Sequence, residues 1–206
     1  MEVFKDLPSN KDITNEKKTP ISTTTGQVIL GITGGIALGL TLVSSSFVRP
    51  AFRKYCLPYI PATDEQIKNV LTALKNRRGL LLDLGSGDGR IVIETAKIGF
   101  TSHGVELNPW LVLYSKYDAW RKGLGKNTGF YRRDLWKYDV SKYNNIVIFG
   151  VEQMMENLEK KLIKECQNGS YIIACRFPLP IRKPIATIGC GVDTVWVYTI
   201  ENNKPS

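Results

Sequence analysis

The chain falls into two regimes of apolar and polar patterning. From Thr19 to Val48 there is no charged residue, and Val28–Val48 is dominated by Ile, Leu, Val, Gly and Ala. That is long enough to cross a bilayer as a single helix, so residues 26–48 are expected to be a transmembrane anchor. Within Val28–Val48 the polar positions are only Thr and Ser, whereas a globular helix of this length would show a wider polar face. Gly31, Gly35 and Gly39 recur every fourth residue and give a small-residue face against which another helix could pack. Ahead of the span, Lys5, Lys11, Lys17 and Lys18 balance Glu2, Asp6, Asp12 and Glu16. With no apolar period, residues 1–25 are expected to be a disordered leader. A secretory signal would begin with a short cationic region, and this stretch begins late, behind a neutral one.

From residue 49 onward the pattern changes to short apolar runs alternating with amphipathic stretches. Residues 49–62 form a Pro-punctuated connector, whose last part runs into the helix as CLPYIPAT, Cys56–Thr63. Thr63 is placed as a helix N-cap with Gln66 completing a capping box, and Ile67, Val70, Leu71 and Leu74 then share one face. Leu80–Leu82 reads as a buried strand and Arg90–Ile98 as a helix stopped by Gly99. Ser102–Leu107 is a strand. Asn108-Pro109 starts a helix that runs to Lys122 and carries Trp110, Leu113, Tyr114, Tyr117 and Trp120 at helical spacing. That stripe reads as an aromatic packing face. Strands are expected at Tyr131–Asp134, Asn145–Phe149 and Tyr171–Arg176, with an antiparallel last strand at Asp193–Ile200. Met154, Met155, Leu158 and Leu162 form a core stripe on the helix between the last two of those three. The result is an α/β, Rossmann-like fold over residues 63–201, with 202–206 as a tail.

The chemistry concentrates at Leu80–Arg90, LLLDLGSGDGR. A strand ends at a carboxylate, Asp83, then turns through Gly85, Ser86, Gly87 and Gly89 into a helix. Such a turn bares backbone amides and a helix N-terminus toward a ligand. The spacing departs from the G-x-G-x-x-G of dinucleotide sites, and Asp83 and Asp88 suit a ligand with a cationic amino acid end better than a pyrophosphate. Asp83-x-Gly85-x-Gly87-x-Gly89 resembles the first motif of the seven-stranded, class I S-adenosylmethionine-dependent methyltransferases. The resemblance implies S-adenosylmethionine as cofactor and a seven-stranded sheet with an antiparallel last strand. Glu106 comes 23 residues after Asp83, near the interval at which a strand-end acid reaches a ribose hydroxyl; Asn108 follows it in the same short loop. By the same resemblance, Asp134 and the Leu135 amide read the adenine, and Tyr59 and Thr63 line the site.

Composition narrows the partners. All of the +9 formal charge falls on residues 49–206. No basic run shows the aromatic interleaving of an RNA-binding surface, the densest cluster being Arg132, Arg133 and Lys137, so membrane headgroups are the expected anionic partner and no nucleic acid is expected. Arg49, Arg53 and Lys54, directly after the span, would stay on the cytoplasmic or matrix side. Cys56, Cys166, Cys175 and Cys190 are too widely spaced for zinc pairs and there is one His, so no metal site is expected.

Further blocks sharpen the resemblance. CLPYIPAT, LLDLGSGDGRIVIETAKIGF, GVELNPWLVLYSKYDAWRKG, RRDLWK, NNIVIFGVEQMMENLEKKL and IIACRFPLP are similar to the mitochondrial protein-lysine methyltransferases, whose members modify the c-subunit of ATP synthase or the adenine nucleotide translocase. IVIFGVEQMM and LEKKL look more like the branch acting on ATP synthase. This implies trimethylation of a lysine in a hydrophobic ring protein by a single-pass enzyme of the mitochondrial inner membrane, with its catalytic domain in the matrix. The [ND]-P-P-[YF] motif of enzymes acting on nucleobases or glutamine is replaced here by Phe149-Gly150-Val151-Glu152. Tyr59, Glu152 and Arg176–Pro178, Phe177 included, are candidates near the mouth, and none identifies itself as a catalytic base. A small-molecule or RNA methyltransferase, and a non-catalytic membrane assembly factor, are the alternative readings.

Overall fold

The computed structural model describes residues 23–48 and 59–201. Most of the expected leader, the flank with Arg49, Arg53 and Lys54, Cys56, and the tail lie outside the described residues. Two compact units divide between Leu42 and Val43.

The first unit is carried by helix α1, Thr23–Val48. Its stretch Thr23–Ser45 is 23 residues of apolar sequence with none of its most apolar window buried. At about 1.5 Å per residue this is roughly 35 Å of helix, enough for a hydrocarbon core of about 30 Å. Two of its hydroxyls are satisfied on the helix itself: Thr33 donates to the Ile29 carbonyl at 2.8 Å and Thr41 to the Ala37 carbonyl at 2.9 Å. That pairing is what a hydroxyl needs in an apolar medium.

The second unit contains a seven-stranded sheet. Its strands are β1 (Leu80–Leu84), β2 (Thr101–Glu106), β3 (Thr128–Arg132), β4 (Asn145–Phe149), β5 (Tyr171–Cys175), β6 (Ala186–Ile188) and β7 (Val195–Thr199). They lie in the order β3-β2-β1-β4-β5-β7-β6. The first five are parallel, and β7 runs antiparallel to both β5 and β6. Helices α2 (Asp64–Ala73), α3 (Arg90–Lys97), α4 (Pro109–Arg121) and α5 (Glu152–Glu165) cover it. Alternation along the strands sorts the core. Leu81, Val147 and Ile173 pack with Ile67, Val70 and Leu74 of α2. Leu82, Leu84, Ile146 and Ile148 pack with Met154, Met155, Leu158 and Leu162 of α5.

Three local expectations are corrected. The capping box is half formed: the Gln66 amide donates to Thr63 Oγ1 at 3.0 Å, but the buried Gln66 side chain reaches the Val192 carbonyl instead of turning back. The third strand lies at Thr128–Arg132, a few residues before Tyr131–Asp134, because the next residues turn at Asp134, whose carboxylate accepts from the Trp136 amide. Most importantly, the aromatic stripe of α4 points outward. Val112, Ser115, Asp118 and Ala119 form its buried side, and the aromatics stay in solvent.

Candidate cofactor and substrate site

Strand order reverses between β1 and β4, and ligand sites of open α/β sheets form at the carboxyl ends of strands at such a point. A cavity of about 890 Å³ lies there. Its floor is Asp83, Gly85, Ser86 and Gly87 from β1 and its loop. Glu106 to Asn108 and Asp134 to Trp136 line one side, while Phe149 to Val151, Arg176 and Phe177 line the other.

Asp83 is 2% exposed, and its Oδ1 has no hydrogen-bond partner among the described residues. Burial, with Glu106 and then Asp88 as neighbouring negative charges, pushes its carboxyl up to about 8. Ser86 Oγ is likewise buried and unpartnered among the described residues. A cation entering this floor would meet uncompensated acceptors, which is the requirement for the ammonium end of a bound amino acid.

The glycines have separate duties. Gly85 and Gly87 line the cavity with φ of +83° and +52°. Gly89, expected in the cofactor set, is not in the lining. At φ +80° it starts α3, and a Cβ there would stand 2.6 Å from Phe130 and 2.8 Å from Ser115. Its role is to let the start of α3 pack closely on β3 and α4.

Glu106 holds the loop together. One of its oxygens accepts from the Leu107 and Asn108 amides, both at 2.7 Å, and the other from the Gly87 amide at 3.1 Å. The oxygen that bonds Leu107 and Asn108 has both its acceptor sites filled, while the one that faces Gly87 has room for a further donor such as a ribose hydroxyl. The Asn108 side chain caps α4 by accepting from the Trp110 amide at 3.0 Å.

The segment before α2 forms a clasp over this loop. A Cβ on Gly87 would come within 3.0 Å of the Tyr59 ring, so the ring rests on the loop. The Tyr59 hydroxyl lies near the Asp88 carboxylate. Its pKa rises to about 12 through burial first and that carboxylate second, so it stays protonated at neutral pH and is no base. Arg90 bonds the same Asp88 at 2.9 Å and donates to the Ala62 carbonyl at 2.7 Å, tying 59–62 to the start of α3. Sequence reasoning singles out neither Arg90 nor Trp136. The position of Arg90 directly after the glycine loop, and that of Trp136 after Asp134, are the signals that point to them.

Two candidates fall away from the cavity. Thr63 instead donates to Asp193 at 2.5 Å. Glu152 is exposed at the first turn of α5 and does not line the cavity. Arg176 does line it, on a backbone with φ +71°, and its Nε is buried without a partner among the described residues.

Comparisons with known proteins place this geometry. A family profile described as the ATP synthase C-subunit lysine N-methyltransferase N-terminal domain matches residues 21–53, and one described as the ANTKMT methyltransferase domain matches residues 83–186. The chain is 55% identical over 175 residues to the Xenopus laevis ATP synthase C-subunit lysine N-methyltransferase, covering 85% of this chain and 77% of that one. The chain belongs to the ATP synthase C-subunit lysine N-methyltransferase family. It is also 37% identical over 183 residues to the mouse adenine nucleotide translocase lysine N-methyltransferase, covering 86% of this chain and 80% of that one. Among solved structures, an RNA methyltransferase from Salinibacter ruber in complex with S-adenosyl-L-homocysteine superposes with a TM-score of 0.66 at 27% identity. That match covers 71% of this chain and 97% of the other. The fold is therefore that of S-adenosylmethionine-dependent methyltransferases, and within it this family comprises protein-lysine methyltransferases.

Proposed function

We propose that this chain transfers methyl groups from S-adenosylmethionine to the side-chain nitrogen of a lysine in the c-subunit of mitochondrial ATP synthase, continuing to trimethyllysine. Membership of the family carries the substrate, and the buried Asp83 at the floor of the strand-end cavity, its Oδ1 without a hydrogen-bond partner among the described residues, carries the cofactor. When bound, the cofactor supplies a methyl already activated on a sulfonium. Asp83 and Ser86 would hold its amino acid end, Glu106 its ribose, and Asp134 with the Leu135 amide its adenine. Tyr59 and the Asp88–Arg90 clasp close the loop side against water.

What remains for the chain is to receive a neutral lysine in line with the methyl. Free lysine ionises near ~10.4, so proton loss must be helped. Tyr59, Trp136, Phe149 and Phe177 supply apolar walls around the cavity, and desolvation by such walls lowers an ammonium's pKa. The proton then leaves to solvent. A trimethylated product keeps its charge, and aromatic faces tolerate it.

We place the enzyme in the inner membrane through α1, with the basic flank after it holding the catalytic domain on the matrix side. Lipid is its second partner, and Gly31, Gly35 and Gly39 offer a face for a neighbouring helix. A second reading, with the adenine nucleotide translocase as substrate, is favoured by the family profile matched at residues 83–186. Intact-mass spectrometry of both proteins from cells with and without the gene separates the two. Loss of three methyl groups from the ATP synthase ring protein, restored by the wild type and not by Asp83→Ala, is the expected result; loss confined to the translocase would favour the second reading.

A further inference from the structure

Helix α4 leaves Trp110, Leu113, Tyr114, Tyr117 and Trp120 in solvent, and Trp120 is 73% and Leu113 59% exposed. Their spacing puts them on one stripe of the helix, opposite the buried Val112, Ser115 and Ala119. The rings of Tyr117 and Trp120 stand 6.1 Å apart, which makes a continuous surface. The buried apolar residues of α2 and α5, Ile67, Val70, Met154, Met155, Leu158 and Leu162, include no aromatic ring. The α4 stripe is made chiefly of Trp and Tyr, rings with an apolar body and a polar edge, and Lys116 and Arg121 lie on the same helix. We propose that the outer face of α4 lies on the headgroup layer of an anionic bilayer and holds the catalytic cavity at the membrane surface.

Three observations select lipid as the occupant. Trp and Tyr beside cations are the composition that settles at a bilayer interface. The chain carries a helix of membrane-spanning length, and the ten residues between Val48 and Tyr59 reach at most about 35 Å even fully extended. A domain of this size is about 35–40 Å across, so it cannot leave the surface by more than its own width. Finally, the chain enters the domain beside this face. Tyr59, the first residue described after the connector, lines the same cavity as Leu111 of α4. Leu111, one residue from Trp110, lines the cavity itself. The face is therefore continuous with the mouth of the site, and a lysine emerging from a membrane protein at headgroup level would meet it.

The inference extends the proposed substrate, but its test does not need that substrate. All four tryptophans lie outside α1, so Trp emission of the full chain in vesicles reports on the catalytic domain alone. The full chain is reconstituted in phosphatidylcholine vesicles carrying phosphatidylglycerol, with and without lipids brominated near the headgroup. Brominated lipid should quench roughly half of the emission, from Trp110 and Trp120. In the Trp110→Phe/Trp120→Phe variant, the emission of Trp136 and Trp196 should be unquenched. Unquenched wild-type emission, or equal fractional quenching in the variant, overturns the proposal. So does quenching that appears only after the ATP synthase ring protein is added, which would assign the face to that protein. Unquenched emission together with self-association abolished by Tyr117→Glu/Trp120→Glu overturns it too, in favour of a second copy. That glutamate variant should retain S-adenosylmethionine binding and lose roughly tenfold in kcat/KM on a bilayer-embedded substrate only. Intact quenching in an enzyme that methylates neither mitochondrial protein would refute the proposed substrate and leave the membrane face standing.

Discussion

Replacing Asp83 with Asn should push stability and cofactor binding in opposite directions. The carboxyl ionises near 3.8 in the unfolded chain and near 8 in the folded one. Below both values it is neutral in either state and burial costs no charge. Between them the unfolded chain is ionised while the folded chain holds the proton, so stability falls by about 1.4 kcal/mol per pH unit as pH rises. The fall ends once pH passes the folded value. Carried to pH 7.5, the ceiling is about 5 kcal/mol. Water in an open cavity screens part of this, and about 2 kcal/mol is the expected share that Asn recovers. For a domain of this size that is a rise of roughly 6 °C in Tm.

The same substitution removes the charge facing the ligand's amino group, so S-adenosylmethionine affinity should drop about 100-fold, or roughly 2.7 kcal/mol. Thermal unfolding of the full chain in detergent, at pH 5 and pH 8, and calorimetric titration with cofactor make the measurement. The stabilisation should be several times larger at pH 8 than at pH 5. A variant no more stable than wild type at pH 8 would mean that Asp83 is solvated and ionised in the folded protein. Undiminished affinity would remove it from the cofactor site.

In the wild type, cofactor affinity measured by calorimetry should rise up to tenfold per unit between pH 6 and pH 8, because the cationic ligand selects the ionised Asp83; a flat profile would contradict the raised carboxyl. Glu106→Gln replaces a charged acceptor of three backbone amides with a weaker one, and should cost at least tenfold in cofactor affinity while the circular dichroism spectrum is kept. Gly89→Ala should cost about 2–4 kcal/mol in denaturant titration, from left-handed backbone strain and the close Phe130 and Ser115 contacts. Glu152→Ala should leave kcat and KM within about twofold of wild type in a methyltransfer assay, since the residue stands outside the cavity.

The parts of the fold legible in the sequence are those where local chemistry leaves one solution. β1 and its loop are such a case: three leucines must be buried, and positive-φ positions in the turn call for glycine. Asn145–Phe149 is legible to the residue for the same reason, since a central parallel strand is apolar on both faces. The sheet's edges are harder. β6, Ala186–Ile188, carries no such signal; it is three residues long, and none of them is buried. The pattern places β3 too late because its edge position leaves Tyr131 and Arg132 exposed, erasing the apolar run that would mark it. At the cavity, Asp83 and Glu106 can be named from the loop pattern and spacing and Asp134 only by resemblance, while the local sequence marks Arg90 by its place after the glycine loop but does not encode its bond to a carbonyl 28 positions earlier in the chain.

The difference at α4, between a stripe expected to pack and one left in solvent, has a physical cause that bears on function. Helical periodicity finds a stripe but cannot say whether the stripe faces protein or another apolar medium. In α4 the small side chains Ser115 and Ala119 are the buried ones because the helix sits close to its neighbours: the Ser115 hydroxyl shares its proton between the Leu111 carbonyl at 2.8 Å and the Gly87 carbonyl at 3.2 Å, and Ala119 packs with Phe130 and α3. Turning the helix to bury Trp110, Tyr117 and Trp120 would force those rings where Gly89 already leaves no room for a methyl group. The contact of Ser115 with the glycine loop thus fixes two things together. It seats the carbonyl side of the cofactor loop on α4, and it leaves the aromatic stripe in solvent. The glycine loop and the aromatic stripe are consequently both set by one rigid helix and meet at its first turn, where the cavity-lining Leu111 follows Trp110, and an enzyme that must reach a lysine close to a bilayer would need both in that fixed relation.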